Sequence, residues 1–112
     1  MTVYPSSNTQ IARRFKKLAE LYKNGQVSDL TAQTINKLLD YEISQTRKHL
    51  QETEAELTVY EKQFGLTTTE FFARYQAGQT DDSAESVEWA SLAQMAERLH
   101  QRLEFLSTEN PK

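Results

Sequence analysis

The sequence is poor in the residues that cross-link or interrupt a chain: it has no cysteine, two prolines and three glycines in 112 residues. Without cysteine, the chain can form neither a disulfide nor a thiolate metal site, which fits a reducing cytoplasm. It also has no long apolar run for a membrane span and no signal-peptide core near its N-terminus. We therefore expect a soluble, cytoplasmic protein that does not insert into a membrane.

The residue spacings that support catalysis are missing as well. The three glycines all stand at predicted helix ends, so no Gly-rich loop is available to hold a phosphate. His49 and His100 lie in no metal-ligand spacing, and the carboxylates near Asp81 lack the glycine of a calcium loop. No serine or threonine has a recognisable base beside it. We expect no catalytic residue, no metal and no cofactor, and thus a protein that is not an enzyme.

The apolar residues are few but regularly spaced. Mean hydropathy is -0.72 and 38% of the residues are hydrophobic, both low for a compact globule. Because the apolar residues recur at helical spacing and never in strict alternation, the pattern favours helices over strands or disorder. The length predicts one helical domain over residues 1–112, with residues 1–7 and 108–112 flexible.

One long helix, from Ser28 to Phe64, organises the chain. No glycine or proline interrupts it, and at about 1.5 Å per residue it would be on the order of 50 Å long. A coiled-coil-like seam of two heptad registers runs along it. The first register holds Ile43, Leu50, Leu57 and Phe64, and the second holds Leu39, Thr46, Thr53 and Tyr60. We expect a helix of this length to need a partner, because so small a monomer cannot bury one face of it throughout.

Three further helices are predicted around the long one. A first helix runs from a cap at Ser7 or Asn8 to about Asn24, and a short third helix opens with the capping box of Thr67 and Glu70. The last helix covers about residues 84–107 and is long enough to lie back along the long one. The predicted fold is all-α: a long antiparallel helical hairpin with two short accessory helices.

Charge is distributed unevenly along this chain. Residues 1–25 contain five basic residues and one acidic residue, Glu20, and therefore have a net charge of about +4. The remainder of the chain carries a net charge of about -7. This basic helix is either a solvated face or a nucleic-acid contact, although no helix-turn-helix or ribbon-helix-helix signature is present. The candidate phosphate contacts are Arg13, Arg14, Lys16 and Lys17.

Aromatic residues cluster around the turn between the two long helices. The cluster predicts a local core that closes the hairpin, with an alternative in which Phe72 and Trp89 are exposed as anchors for a protein partner. Together with the seam, they complete the candidate partner or oligomer interface. Its residues are Leu39, Ile43, Leu50, Leu57, Tyr60, Phe64, Phe72 and Trp89.

Residues 27–106 resemble a group of small bacterial and cyanobacterial helical proteins, some of which are encoded beside a small toxin as its antitoxin. The matching residues are Leu38-Leu39-Asp40-Tyr41-Glu42, Tyr60-Glu61, Phe64-Gly65-Leu66-Thr67, Glu70-Phe71, Tyr75, Ala77-Gly78, Asp81-Asp82 and Val87-Glu88-Trp89-Ala90-Ser91-Leu92. These motifs mark helix ends and turns. The resemblance implies a non-enzymatic antitoxin of a type II toxin–antitoxin pair, which neutralises a toxin by covering its surface. Better-known antitoxins carry a DNA-binding domain that is not recognisable in this sequence.

The sequence therefore predicts a protein-binding protein, with a cognate toxin or another protein as partner and with self-association into a homodimer. An acidic helical protein with a small hydrophobic core is complementary in charge to a basic, RNA-cleaving partner. Two alternatives remain: a homo-oligomeric coiled-coil scaffold, and a DNA-binding protein that uses the basic first helix.

Overall fold

The computed structural model describes residues 7–108, and this range contains four helices and no strand. They are α1 (Asn8–Lys23), α2 (Asp29–Phe64), α3 (Thr68–Gln76) and α4 (Ala84–Ser107). The all-α prediction is confirmed, and each helix begins and ends within about two residues of its predicted bounds. The flexible ends predicted for the chain lie mostly outside the described residues.

Hydroxyl side chains start the helices. Ser7 Oγ accepts from the backbone N–H of Gln10 at 3.1 Å, and Ser83 Oγ accepts from that of Ser86 at 3.1 Å. Such a cap satisfies a backbone donor that has no partner within the helix. At α3 the predicted capping box is present, since the N–H of Glu70 donates to Thr67 Oγ1 at 3.1 Å and the N–H of Thr67 donates back to the Glu70 carboxylate. That hydrogen bond lowers the pKa of Glu70.

Glycine ends the first three helices. Gly25, Gly65 and Gly78 have φ angles of 70°, 65° and 72°, a left-handed conformation that a Cβ atom disfavours. After each of them the chain leaves the helix axis, so all three glycines serve as helix terminators.

The chain divides into two compact units, with the division inside α2 between Leu38 and Leu39. In the first unit, none of the described residues 7–38 is buried. The second unit contains the hydrophobic core, which is formed by Leu50, Leu57, Phe71, Trp89, Ala90, Ala96 and Leu99. Among residues 7–108, burial of apolar surface therefore stabilises mainly the second unit.

Within the second unit, α2 and α4 form an antiparallel hairpin. Contacts between the two helices pair rising residue numbers in α2 with falling numbers in α4. These contacts are Glu42 with Arg102 at 2.7 Å, Thr53 with Met95 at 3.6 Å, Tyr60 with Glu88, and Gln63 with Glu85 at 3.3 Å. The predicted helical hairpin is thus present in this unit.

The middle of the heptad seam faces α4. The buried residues of α2 are Thr46, Leu50, Thr53 and Leu57. Thr53 is 1% exposed, and its hydroxyl donates to the carbonyl of His49 at 2.9 Å, so the buried polar group is satisfied. On α4, the small residues Ala90 and Ala96 are buried as well.

The expectation that α2 needs a partner along its whole length is therefore corrected for its second half. There the chain itself covers the seam, because Leu50 and Leu57 are only 5% and 8% exposed. At the other end of the seam, Leu39 remains 42% exposed and Ile43 is half-buried.

Replacing Leu50 with alanine should destabilise the hairpin by about 2–5 kcal/mol, because the side chain is buried and its loss leaves a cavity. The matched control is Val59→Ala on the same helix, where the valine is 63% exposed and the change should alter stability by no more than about 0.5 kcal/mol. Urea denaturation followed by far-UV circular dichroism measures both. Equal effects of the two substitutions would contradict the buried position of Leu50.

Candidate partner-binding surface

The structure distributes the eight predicted interface residues over three environments. Leu50, Leu57 and Trp89 are buried in the core of the hairpin. Ile43, Tyr60 and Phe72 are half-buried, and only Leu39 and Phe64 are exposed. Leu50, Leu57 and Trp89 therefore offer a partner very little surface while the hairpin stays closed. The members of this set that a partner can contact are those that are half-buried or exposed: Leu39, Ile43, Tyr60, Phe64 and Phe72.

Trp89 lies at the centre of an aromatic stack. Its ring stacks on Phe71 with centroids 3.9 Å apart and planes 4° apart, and it also stacks on Tyr60 and Phe64 at 5.5 and 5.6 Å. The indole N–H donates to Thr68 Oγ1 at 3.1 Å, which satisfies its one donor. Trp89 is 2% exposed. These rings form the local core that closes the hairpin, and the alternative with Trp89 as an exposed anchor does not fit this structure.

At the edge of the stack, the hydroxyl of Tyr60 donates to the carboxylate of Glu88. This hydrogen bond, partial burial and the negative charges of Glu88, Glu85 and Glu56 raise the pKa of Tyr60 to about 12. Each of these effects favours the neutral phenol, since an ionised phenolate cannot donate and is repelled by carboxylates. The contact joins α2 to α4 near the closed end of the hairpin.

Apart from this hairpin core, large hydrophobic side chains are exposed where α2 begins. Leu30 is 73% exposed and Leu38 is 48% exposed, and both belong to the first unit. At about 100° per residue, the two lie within about 80° of one another on the helix. We call these two residues the α2 ridge. They do not follow the heptad, so the heptad pattern does not single them out, although the first turns of this helix are apolar on more than one side.

Helix α1 also exposes an apolar stripe. Ile11, Phe15 and Tyr22 are 39%, 52% and 56% exposed, and Leu18 between them is half-buried. We call these four residues the α1 stripe. They recur at intervals of four, three and four residues, which is the spacing of one helix face.

The four candidate phosphate contacts lie on the other sides of α1. Arg13, Arg14, Lys16 and Lys17 are all exposed, with Arg14 beside the stripe and the other three opposite it. Residues 7–38 contain six Lys and Arg against two Asp and Glu, a net charge of +4. Residues 39–108 contain six Lys and Arg and thirteen Asp and Glu, a net charge of -7. The two units therefore carry opposite charge.

A groove lies along one side of the second unit. Its larger part, of about 720 Å³, is bordered by α2, α3 and α4, and an adjoining depression of about 480 Å³ continues along α4 as far as Ser107. We call the two depressions the lateral groove; they share Glu97 and His100. The apolar lining consists of Leu57, Phe72, Ala73, Ala93, Ala96 and Leu103. The charged lining consists of Glu54, Glu97, Glu104, Arg47 and Arg98.

Among residues 7–108, no three His, Asp or Glu side chains converge on a position that could hold a metal ion. None of the four helices is long and apolar enough to cross a membrane. The sequence matches no protein-family model, and neither a curated protein nor a solved structure matches it significantly.

The raised pKa of Tyr60 predicts a loss of hairpin stability at alkaline pH. Because the folded state retains the phenolic proton up to about pH 12 and the unfolded state releases it near pH 10, the folded state binds more protons between these values. The stability contributed by the Tyr60–Glu88 contact is present below about pH 10 and is lost as the pH rises towards 12.

This prediction is measured by comparing the wild type with Tyr60→Phe. In an ultraviolet titration, the variant should lack the phenol that ionises last. In urea melts between pH 9 and 12, it should also lose less stability with rising pH than the wild type does. Parallel curves for the two proteins would show that Tyr60 ionises like a free tyrosine.

Proposed function

We propose that the chain is a non-enzymatic protein-binding protein that acts as the antitoxin of a type II toxin–antitoxin pair, covering the surface of its toxin. The observation that carries the proposal is the α2 ridge, where Leu30 and Leu38 lie uncovered in the first unit. The resemblance of residues 27–106 to antitoxin-like proteins supplies the class of partner.

The physical argument concerns the stability of helices that bury nothing. A helix of 16 residues is only marginally stable alone in water, and helices in proteins owe most of their stability to packing of an amphipathic face. Helix α1 has such a face and no buried residue. Exposed apolar patches of this kind mark surfaces that another molecule covers.

Charge supports a basic toxin as the partner of the second unit. Residues 39–108 carry a net charge of -7, and a basic, RNA-binding enzyme presents the opposite potential. Complementary potentials accelerate encounter and disfavour wrong partners. The α2 ridge in the first unit supplies a separate apolar contact.

The double substitution Leu30→Glu and Leu38→Glu should abolish co-purification with the toxin, because it places two carboxylates in the apolar centre of the contact. The toxin tested is the product of the adjacent gene, co-expressed with a tag on one protein only. The control is Val59→Glu, a substitution of another exposed hydrophobic residue, which belongs to the second unit. It should leave co-purification and toxin neutralisation unchanged.

Two outcomes contradict the antitoxin proposal. One is a wild-type protein that elutes apart from the adjacent gene product and leaves its activity unaltered. The other is a double variant that still neutralises the toxin as well as the wild type does. A protein that ignores the toxin and sediments as a tight homo-oligomer would instead be the coiled-coil scaffold considered from the sequence.

The exposed basic face of α1 favours DNA binding as a second candidate function. Lys and Arg contacts to phosphates give binding that weakens steeply with salt. Replacing Arg13 and Lys17 with glutamate should abolish retention on a DNA column at low salt, because it reverses two of the exposed charges. Retention of the wild type near 50 mM salt but not near 200 mM would support this function, and no retention of the wild type at low salt would exclude it.

A further inference from the structure

The α1 stripe and the lateral groove are unpartnered surfaces of complementary form and charge. We propose that α1 of one copy of the chain docks in the lateral groove of a second copy, so that the two chains exchange α1 helices reciprocally. The proposal concerns self-association and does not depend on the toxin.

The lengths of the two surfaces agree. Helix α1 has 16 residues, which corresponds to about 24 Å. The groove follows α4 from Ala93 to Ser107, a distance of about 21 Å. A helix of the length of α1 therefore occupies the groove from end to end.

The apolar residues also suit one another. The stripe presents two aromatic rings, Phe15 and Tyr22, on one side of a helix. Opposite them, Ala73, Ala93 and Ala96 are small, so rings can enter between α3 and α4 without displacing a large side chain. Packing a ridge of side chains into a groove is how helices ordinarily dock, and an amphipathic helix in an apolar groove is a common recognition mode.

Charge favours a second copy as the occupant. The segment that contains α1 carries +4 and the hairpin that contains the groove carries -7, so docking brings opposite charges together. A pairing of α1 with α1 would instead bring two +4 segments together. Three carboxylates, Glu54, Glu97 and Glu104, border the groove and can receive Arg14, the basic residue that lies beside the stripe.

Cross-linking between differently tagged chains tests the proposal, because the chain has no cysteine of its own. One chain carries Ala19→Cys beside the α1 stripe, and the other carries Ala93→Cys in the groove. A short bis-maleimide should join the two chains. The control pair combines Ala19→Cys with Ala55→Cys, an exposed position on α2 outside the groove, and should give no product.

Three cross-linking results would overturn the proposal. The first is a product within a single chain that carries both Ala19→Cys and Ala93→Cys, with none between different chains, since α1 would then dock on its own hairpin. The second is equal cross-linking of the groove and control positions, and the third is no cross-linking at either position; both would leave the groove without α1.

Sedimentation equilibrium provides an independent measurement. Phe15→Glu should raise the dimer dissociation constant at least about tenfold, because it removes a central aromatic contact. Leu30→Glu is the control, since it also changes an exposed leucine but lies outside α1 and the groove, and it should leave the dimer intact. A dimer unaffected by Phe15→Glu, or a wild-type protein that is monomeric throughout, would overturn the proposal.

The toxin assay separates this proposal from the proposed function. Phe15→Glu alters the self-association surface and leaves the α2 ridge in place, so a monomeric Phe15→Glu variant that still binds toxin supports both proposals. Failure of the wild type to bind toxin would leave the cross-linking and sedimentation results unaffected.

Discussion

The structure depends on the packing of α2 against α4 along the seam. Thr46, Leu50 and Thr53 on α2 and Ala90 and Ala96 on α4 are buried. A buried polar residue in such a seam carries a penalty unless its hydrogen bonds are made. Thr53 avoids that penalty because its hydroxyl bonds within its own helix.

The stacked rings at the closed end fix how α4 returns along α2. Trp89 stacks face to face on Phe71 of α3, and its indole N–H bonds to Thr68 at the start of the same helix. Because α3 itself begins at a capping box and is bounded by two glycines with positive φ, few conformations of the turn place Phe71 beneath the indole. The short third helix thus sets the register of the two long ones.

Much of this fold could be predicted from local sequence chemistry. Ser7, Thr67 and Gly65 mark helix ends through backbone hydrogen bonding and allowed φ angles, which depend on neighbouring residues alone. The heptad correctly indicated that α2 contacts another helix. It could not indicate whether that helix belongs to the same chain, because knobs-into-holes packing is the same within and between chains. For that reason the heptad assigns Leu50 and Leu57 to a partner although they form the core. The aromatic cluster assigns Trp89 to a partner, because ring composition alone does not distinguish a local core from an exposed anchor.

The position of Trp89 has a spectroscopic consequence. It is the only tryptophan in the chain, and it is held at 2% exposure against an aromatic ring. Its emission therefore reports the integrity of the closed end of the hairpin and nothing about residues 7–38. Fluorescence and circular dichroism will accordingly follow different parts of this molecule: the first is a local reporter of one end, whereas the second averages over every helix. A helix-to-coil transition confined to α1 would change the ellipticity while the emission spectrum stayed constant.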